Sequence, residues 1–284
     1  MTFSIAARSE DGAHWGVAVA SKFLAVGAAV PGVQLEVGAI ATQAWANLSY
    51  VPRGLELLAT GLNAQEVVDA LIMSDEQSAD RQINIVDAAG GSASFTGSGC
   101  FDWAGGRTGS GYAIAGNILV GEQVVIEMEK AWVASSHLPF TDRLLAVLKA
   151  GDDAGGDKRG RQSAAILATT AQGGYGGTSD IEIDLRVDDH VDPVNELIRL
   201  AEIHQLLFGR PENTVPLRGE YAARLRSALD ILGWTDPEGA DPDLEAALIA
   251  CAGVENLEER MVPGELDLVV LEYLEKRAAE SGIG

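Results

Sequence analysis

Hydrophobic and polar residues alternate from the second position of the chain. Phe3, Ile5 and Ala7 interleave with Thr2, Ser4 and Ala6, which predicts a strand with two distinct faces over 2–8. Glu10-Asp11-Gly12 supplies turn chemistry, and Trp15–Ser21 begins a second strand, so the chain opens on an antiparallel hairpin. Gly38–Gln43 reads as a further buried strand. Leu55–Ile72 carries apolar residues at helical spacing, broken at Gly61-Leu62-Asn63. Asn63 followed by Glu66 is an N-cap pattern for the second piece. Short strands are predicted over 82–86 and 92–96. The apolar run Tyr112–Leu119 leads into a helix over Glu122–Ala134, and Phe140–Ala150 is another. A polar loop, Gly151–Gly160, follows. Ser163–Thr170 and Ile181–Val187 read as strands around the Gly-rich turn Gly173–Gly177.

This order, beginning with a hairpin, suits an α+β sandwich with helices packed outside sheets better than a strict βαβ repeat. Beyond Pro193 the strand signal fades. Val194–Phe208, Leu217–Leu232, Asp243–Ala252 and Glu265–Ala279 read as amphipathic helices, punctuated by Gly233–Gly239 and Pro263-Gly264. Glycine use falls with it: 25 of the 33 glycines precede residue 195. The expected boundary lies near 205–215, dividing the chain into a sandwich domain over 1–207 and a small all-helical domain over 208–284.

Composition narrows the function classes. With 47% hydrophobic and 22% charged residues the chain can bury a sizeable core. Its formal net charge of −22 argues against nucleic acid and against docking on an anionic membrane. No apolar run of transmembrane length is present. Residues 1–12 lack a basic region followed by an apolar run, so no secretory leader is predicted and the expected location is the cytoplasm. Cys100 and Cys251 are far apart and form no Cys-x-x-Cys pair, which predicts neither a disulfide framework nor a zinc cluster.

Thr2 is the residue with the most chemical content. An initiator methionine is readily removed before a small side chain. A free N-terminal Thr then carries a hydroxyl nucleophile and an amine base on one residue. An unperturbed α-amine has a pKa of about 7.7–8.0, which would leave a useful fraction unprotonated near neutral pH. A strand beginning at residue 2 would hold the pair in place.

Met1-Thr-Phe-Ser-Ile5, Gly16–Lys22, Ala41-Thr42-Gln43, Gly116–Leu119, Gly160–Ala164 and Asp184–His190 occur in this order. The series resembles the bacterial family called domain of unknown function 1028 over about residues 2–205. The resemblance implies the N-terminal-nucleophile (Ntn) hydrolase superfamily, with a four-layer αββα sandwich, and a reaction class without a substrate. Phe208–Pro211 and Leu229–Trp234 resemble a small domain named for peptidoglycan binding. For a chain expected in the cytoplasm, packing or homodimer formation is the more natural role of that domain.

Within this frame the remaining polar residues divide between structural and functional uses. Lys22 would lower the pKa of the amine or face substrate, or else be a solvated lysine; as the strand neighbour of Ser21 it points to the opposite face, so the two are not a Ser-Lys pair. Gln43 and Asn47 sit in and just after an apolar strand. They would line the site, one of them as an oxyanion donor. Asn117 beside Gly116 is an oxyanion donor or a turn cap. Arg161 reads first as a structural ion pair and second as a clamp on a substrate carboxylate. Tyr175 in the Gly-rich turn would contact ligand. Asp188, Asp189, His190 and Asp192 diverge along a strand, so no metal site is predicted. Asp189 is expected to pair with Arg186 or Arg161. The Gly105-Gly106 pair reads as a turn. The expected protein is an amidohydrolase acting on a small-molecule substrate, with Thr2 as nucleophile and no cofactor. The alternative is a non-catalytic ligand-binding or scaffold protein of the same fold.

Overall fold

The computed structural model describes residues 2–235 and 243–281. Met1, on whose removal the nucleophile expectation depends, lies outside the described residues, as does part of the Gly233–Gly239 punctuation. The chain divides into two compact units, Met1–Leu200 and Ala201–Gly284.

The first unit starts with strands β1 (Thr2–Arg8) and β2 (His14–Ser21). Their turn closes because the Ser9 and Asp11 side chains accept from the Ala13 amide, and because Gly12 takes φ +72°, open to a residue without Cβ. Strands β3 (Pro31–Gln34) and β4 (Gly38–Ala44) come next, then helices α1 (Tyr50–Ala59) and α2 (Ala64–Met73). The break between the helices is where the periodicity predicts it. Asn63 and Glu66 form a reciprocal capping box at the start of α2. Strands β5 (Arg81–Asp87), β6 (Ser92–Thr96), β7 (Gly105–Gly109) and β8 (Tyr112–Asn117) follow. Helices α3 (Gln123–Ala134) and α4 (Phe140–Asp153) lead to β9 (Ser163–Thr170) and β10 (Ile181–Val187), and then to α5 (Pro193–Phe208), within which the boundary between the units falls.

Two antiparallel sheets result. One has the order β10-β9-β2-β1-β8-β7 and the other β3-β4-β5-β6. They face each other over a core of small side chains, among them Ala6, Val17, Val19, Ala39, Ala41, Val86, Ala113 and Ala165. Helices α3 and α4 cover the outer face of the larger sheet, and α1 and α2 that of the smaller one. The arrangement is four layers, αββα, in an α+β chain. Both faces of every central strand are therefore buried, which is why β1 and β5 are buried almost end to end. Gly16 shows how tightly the outer layer fits: a Cβ there would meet Leu144 and Phe140.

Two strands of this unit escaped the periodicity. β3 begins with Pro31-Gly32, and β7 contains Gly105-Gly106, expected as a turn but paired in register with β8. A Cβ on Gly106 would lie 2.6 Å from Ser94 Oγ and 2.7 Å from Ile114 O, so close approach of backbone, not turn geometry, requires glycine there.

The second unit holds strand β11 (Thr214–Pro216), helices α6 (Gly219–Ile231) and α7 (Leu244–Glu255), strand β12 (Glu265–Asp267) and helix α8 (Leu268–Ser281). The expectation of an all-helical domain is corrected by the antiparallel pair β11–β12. The predicted helix from Glu265 is a strand for its first three residues. The core joins Leu225, Leu229, Leu248, Leu266, Leu271 and Leu274. Arg260 is buried against Asp267 at 2.6 Å. No described helix is long and apolar enough to cross a membrane.

Candidate active site

Register places a row of polar residues at one end of the larger sheet. Thr2 opens β1 opposite Asn117 on β8. On its other side Phe3 pairs with Ala20, which brings Thr2 beside Ser21 on β2, and Ser21 pairs with Ser163 on β9. Alternation turns Thr2, Ser4 and Ala6 toward the second sheet and Phe3, Ile5 and Ala7 toward the helices. The Thr2 and Ser21 hydroxyls lie 3.1 Å apart. Thr2 is buried, 5% exposed.

A hydrogen-bonded network of carboxamides and hydroxyls lies behind this row, between the sheets. Ser4 Oγ donates to Gln43 Oε1 at 2.7 Å, and Gln43 Nε2 donates to Gln82 Oε1 at 2.7 Å. Asn117 Nδ2 donates to the same Gln82 oxygen at 2.9 Å. Gln82 Nε2 in turn donates to Thr96 Oγ1 and to the Gly116 carbonyl, each at 2.8 Å. The Asn84 carboxamide sits 3.2 Å from Ser4 Oγ. Every one of these residues except Thr96 is buried. Buried carboxamides hold fixed orientations, because each bond lost there leaves an unpaired polar group. Asn117 retains a second N–H beyond the one given to Gln82.

A cavity of about 610 Å³ opens at the strand ends beside Asn117. Its walls include Phe23 after β2, Ala44 at the end of β4 and Trp45 after it, Phe101 after β6, and Ile118 after β8. Two of these residues are strained. Ala44 takes φ +67° and the β-branched Ile118 takes φ +49°. Cys100 also lines this cavity, its thiol pushed above its ordinary pKa chiefly by burial. A second cavity of about 340 Å³ touches Ser21, Phe3, Asp152, Asp157 and Arg161. Thr2 lines neither cavity; its partners Asn117 and Ser21 each line one.

The model of the family of unknown function DUF1028 matches residues 2–197. The chain belongs to this family. A second model, described as "Putative peptidoglycan binding domain", matches residues 206–274. Among solved structures, a DUF1028 protein from Silicibacter pomeroyi is similar at 30% identity and a TM-score of 0.65. That similarity covers 78% of this chain and 92% of the other. No match is found among proteins of curated function.

On this DUF1028 scaffold the predicted site residues separate. Gln43 and Asn117 join the inter-sheet network, and Thr2 lies beside it, opposite Asn117 in register with its hydroxyl on Ser21. Asn47 does not join it: its Nδ2 donates to Asp75 at 2.9 Å and its Oδ1 accepts from Ser49, so its carboxamide is spent at the start of α1. Lys22 is exposed, with Nζ on the Arg161 carbonyl at 3.2 Å. Arg161 makes an ion pair with Asp152 at 2.7 Å, as its structural reading expects, and also lines the smaller cavity. Tyr175 is exposed in the loop between β9 and β10 and lines neither cavity. Asp189 pairs with neither Arg186 nor Arg161. It accepts from Gln162, because Arg186 is taken by Asp184 on its own strand and Arg161 by Asp152. The sequence reading did not single out Gln82, Ser163, Phe23, Trp45 or Phe101 as site residues. The only signal for the aromatic three was a large apolar residue in each of three loops.

Proposed function

We propose that this DUF1028 chain is an amidohydrolase of the N-terminal-nucleophile type, acting through Thr2. The observation that carries the reading is the position of Thr2, first on a central strand, between the Ser21 hydroxyl and Asn117. With Met1 removed, the α-amine of Thr2 takes the proton from Oγ1, and Oγ1 bonds to the amide carbonyl carbon. Ser21 Oγ, 3.1 Å away, is a relay for that proton. The second Asn117 N–H is a donor to the oxyanion. The carbon–nitrogen bond then breaks, and the protonated amine returns its proton to the leaving nitrogen. Water attacks the Thr2 ester, releasing a carboxylic acid and restoring the hydroxyl. No step calls on a metal or an organic cofactor.

The test joins intact mass with turnover. The expected result is a mature chain lacking Met1, with Thr2→Ala abolishing hydrolysis across a panel of small amides while circular dichroism is unchanged. Thr2→Ser, which keeps a hydroxyl, retains measurable activity. A chain that keeps Met1 throughout, or a Thr2→Ala protein as active as wild type, overturns the mechanism. One observation favours the second reading, a ligand-binding protein without catalysis: the Thr2 hydroxyl lines neither cavity. On that reading Thr2→Ala leaves ligand binding unchanged and no amide is turned over.

A further inference from the structure

Charge is distributed unevenly around the larger cavity. The chain holds 20 Lys and Arg against 42 Asp and Glu. Four of those cations, Lys22, Lys158, Arg159 and Arg161, gather where the β2 end meets the segment before β9. Asp157, buried, ties the two segments together: one carboxylate oxygen accepts from the Lys22 amide and the other from the Arg159 amide, each at 2.8 Å. Arg159 Nη2 donates to Lys22 O at 3.0 Å, and Lys158 Nζ to Asp102 O at 2.7 Å, next to the cavity residue Phe101. Asp152 neutralises Arg161 at 2.7 Å, and Asp157 partly meets Arg159 at 3.4 Å. The Lys22 and Lys158 ammonium groups donate only to backbone carbonyls among the described residues. With Asp80, Asp102, Asp152 and Asp157 beside them these cations bring the locality close to neutral on a strongly anionic protein, and Arg159 is the member of the cluster that lines the larger cavity.

The walls give the second half of the argument. Phe23, Trp45 and Phe101 are 55%, 73% and 74% exposed and come from three separate loops, yet they line one cavity. Large apolar side chains gathered at one exposed cavity mark a binding surface. Arg159 lines the same cavity, and so does Asp80, a carboxylate that suits one N–H donor and disfavours a ligand anionic throughout.

We infer that this cavity takes an amide bearing one carboxylate and one apolar or aromatic group, an N-acyl amino acid by chemistry. The carboxylate meets Arg159 with the field of Lys22 and Lys158 behind it. The ring or alkyl group packs among Phe23, Trp45 and Phe101. The amide N–H faces Asp80, and the carbonyl is presented toward Asn117. The inference rests on the amidohydrolase reading for what happens next, but not for binding.

Calorimetric titration of the Thr2→Ala protein separates the two. The probes are N-acetylphenylalanine, its neutral primary amide, and N-acetylglycine, which lacks the ring. The acid is expected to bind about tenfold or more tightly than the neutral amide, the magnitude of one charge-assisted pair. Binding of N-acetylglycine is expected to be weaker still, and added salt to weaken the acid and not the amide. Arg159→Met, at an exposed side chain, should bring acid and amide together. Equal binding of acid and neutral amide, or no saturable binding of either, overturns the inference. If wild-type protein hydrolyses neutral amides while the acid does not bind, the ligand class falls and the amidohydrolase stands. If the acid binds but nothing is hydrolysed, the catalytic reading falls and the ligand class stands.

Discussion

Gln82 makes more side-chain bonds between the sheets than any other residue there. Its oxygen accepts from Gln43 and Asn117, and its nitrogen donates to Thr96 and the Gly116 carbonyl. Replacing it by leucine fills the volume but leaves two buried carboxamide donors and a carbonyl without this partner. Gln82→Leu is expected to lower unfolding free energy by about 3 kcal/mol, read from the urea midpoint at constant slope. It should also release the orientation of Asn117, so any activity falls with it. The polar positions of β5 were visible in the chain, since Gln82 and Asn84 alternate with Ile83 and Ile85. Alternation by itself does not distinguish a wet face from the dry space between two sheets. The same ambiguity explains Asn47. Asn47 and Asn117 are alike as polar residues beside apolar strands, but only one has its donor turned into the network.

Between elements, Asp75 clamps the end of the smaller sheet. Its Oδ2 accepts from Arg81 Nε at 2.9 Å, from Asn47 Nδ2 at 2.9 Å and from the Tyr50 hydroxyl at 3.0 Å. Arg81 also donates to the Trp45 carbonyl, so the clamp sets the position of a cavity wall. The bond from Arg81, with that from Asn47, holds the Asp75 carboxyl well below the ordinary carboxylate range against the opposing effect of burial. Burial first, and then the Asp75 bond, push the Tyr50 hydroxyl up to about 12. Because the folded-state pKa of Asp75 is depressed, its contribution is complete above the unfolded value of about 3.9 and is lost as pH falls below it. Urea midpoints measured from neutral pH down into the acid range should therefore drop more steeply for wild type than for Asp75→Asn. Equal slopes would remove Asp75 from the acid response. At this scale the chain was largely legible: the helix break, the Asn63–Glu66 cap and most strands appear in local periodicity, while β3 and β7 do not, because Pro and Gly carry no periodic signal, nor do β11 and β12, which are three residues each.

Across the whole molecule, a net charge of −22 means that the folded state works against its own repulsion. Added monovalent salt is expected to raise the thermal midpoint by screening it, with no denaturant present. A fall on adding salt would show instead that ion pairs such as Arg260–Asp267 and Arg81–Asp75 outweigh the net repulsion. What the sequence determined alone is whatever depends on neighbours along the chain: the opening hairpin, the α+β order, the change of character after Pro193, and a threonine at the head of a strand. The tertiary structure decided which of the polar residues meet. Thr2, Ser21, Gln43, Gln82 and Asn117 come from five strands of two sheets, and the cluster of cations joins the β2 end to residues 158–161. Those contacts depend on register and on the facing of the sheets, and no period within a single segment encodes them.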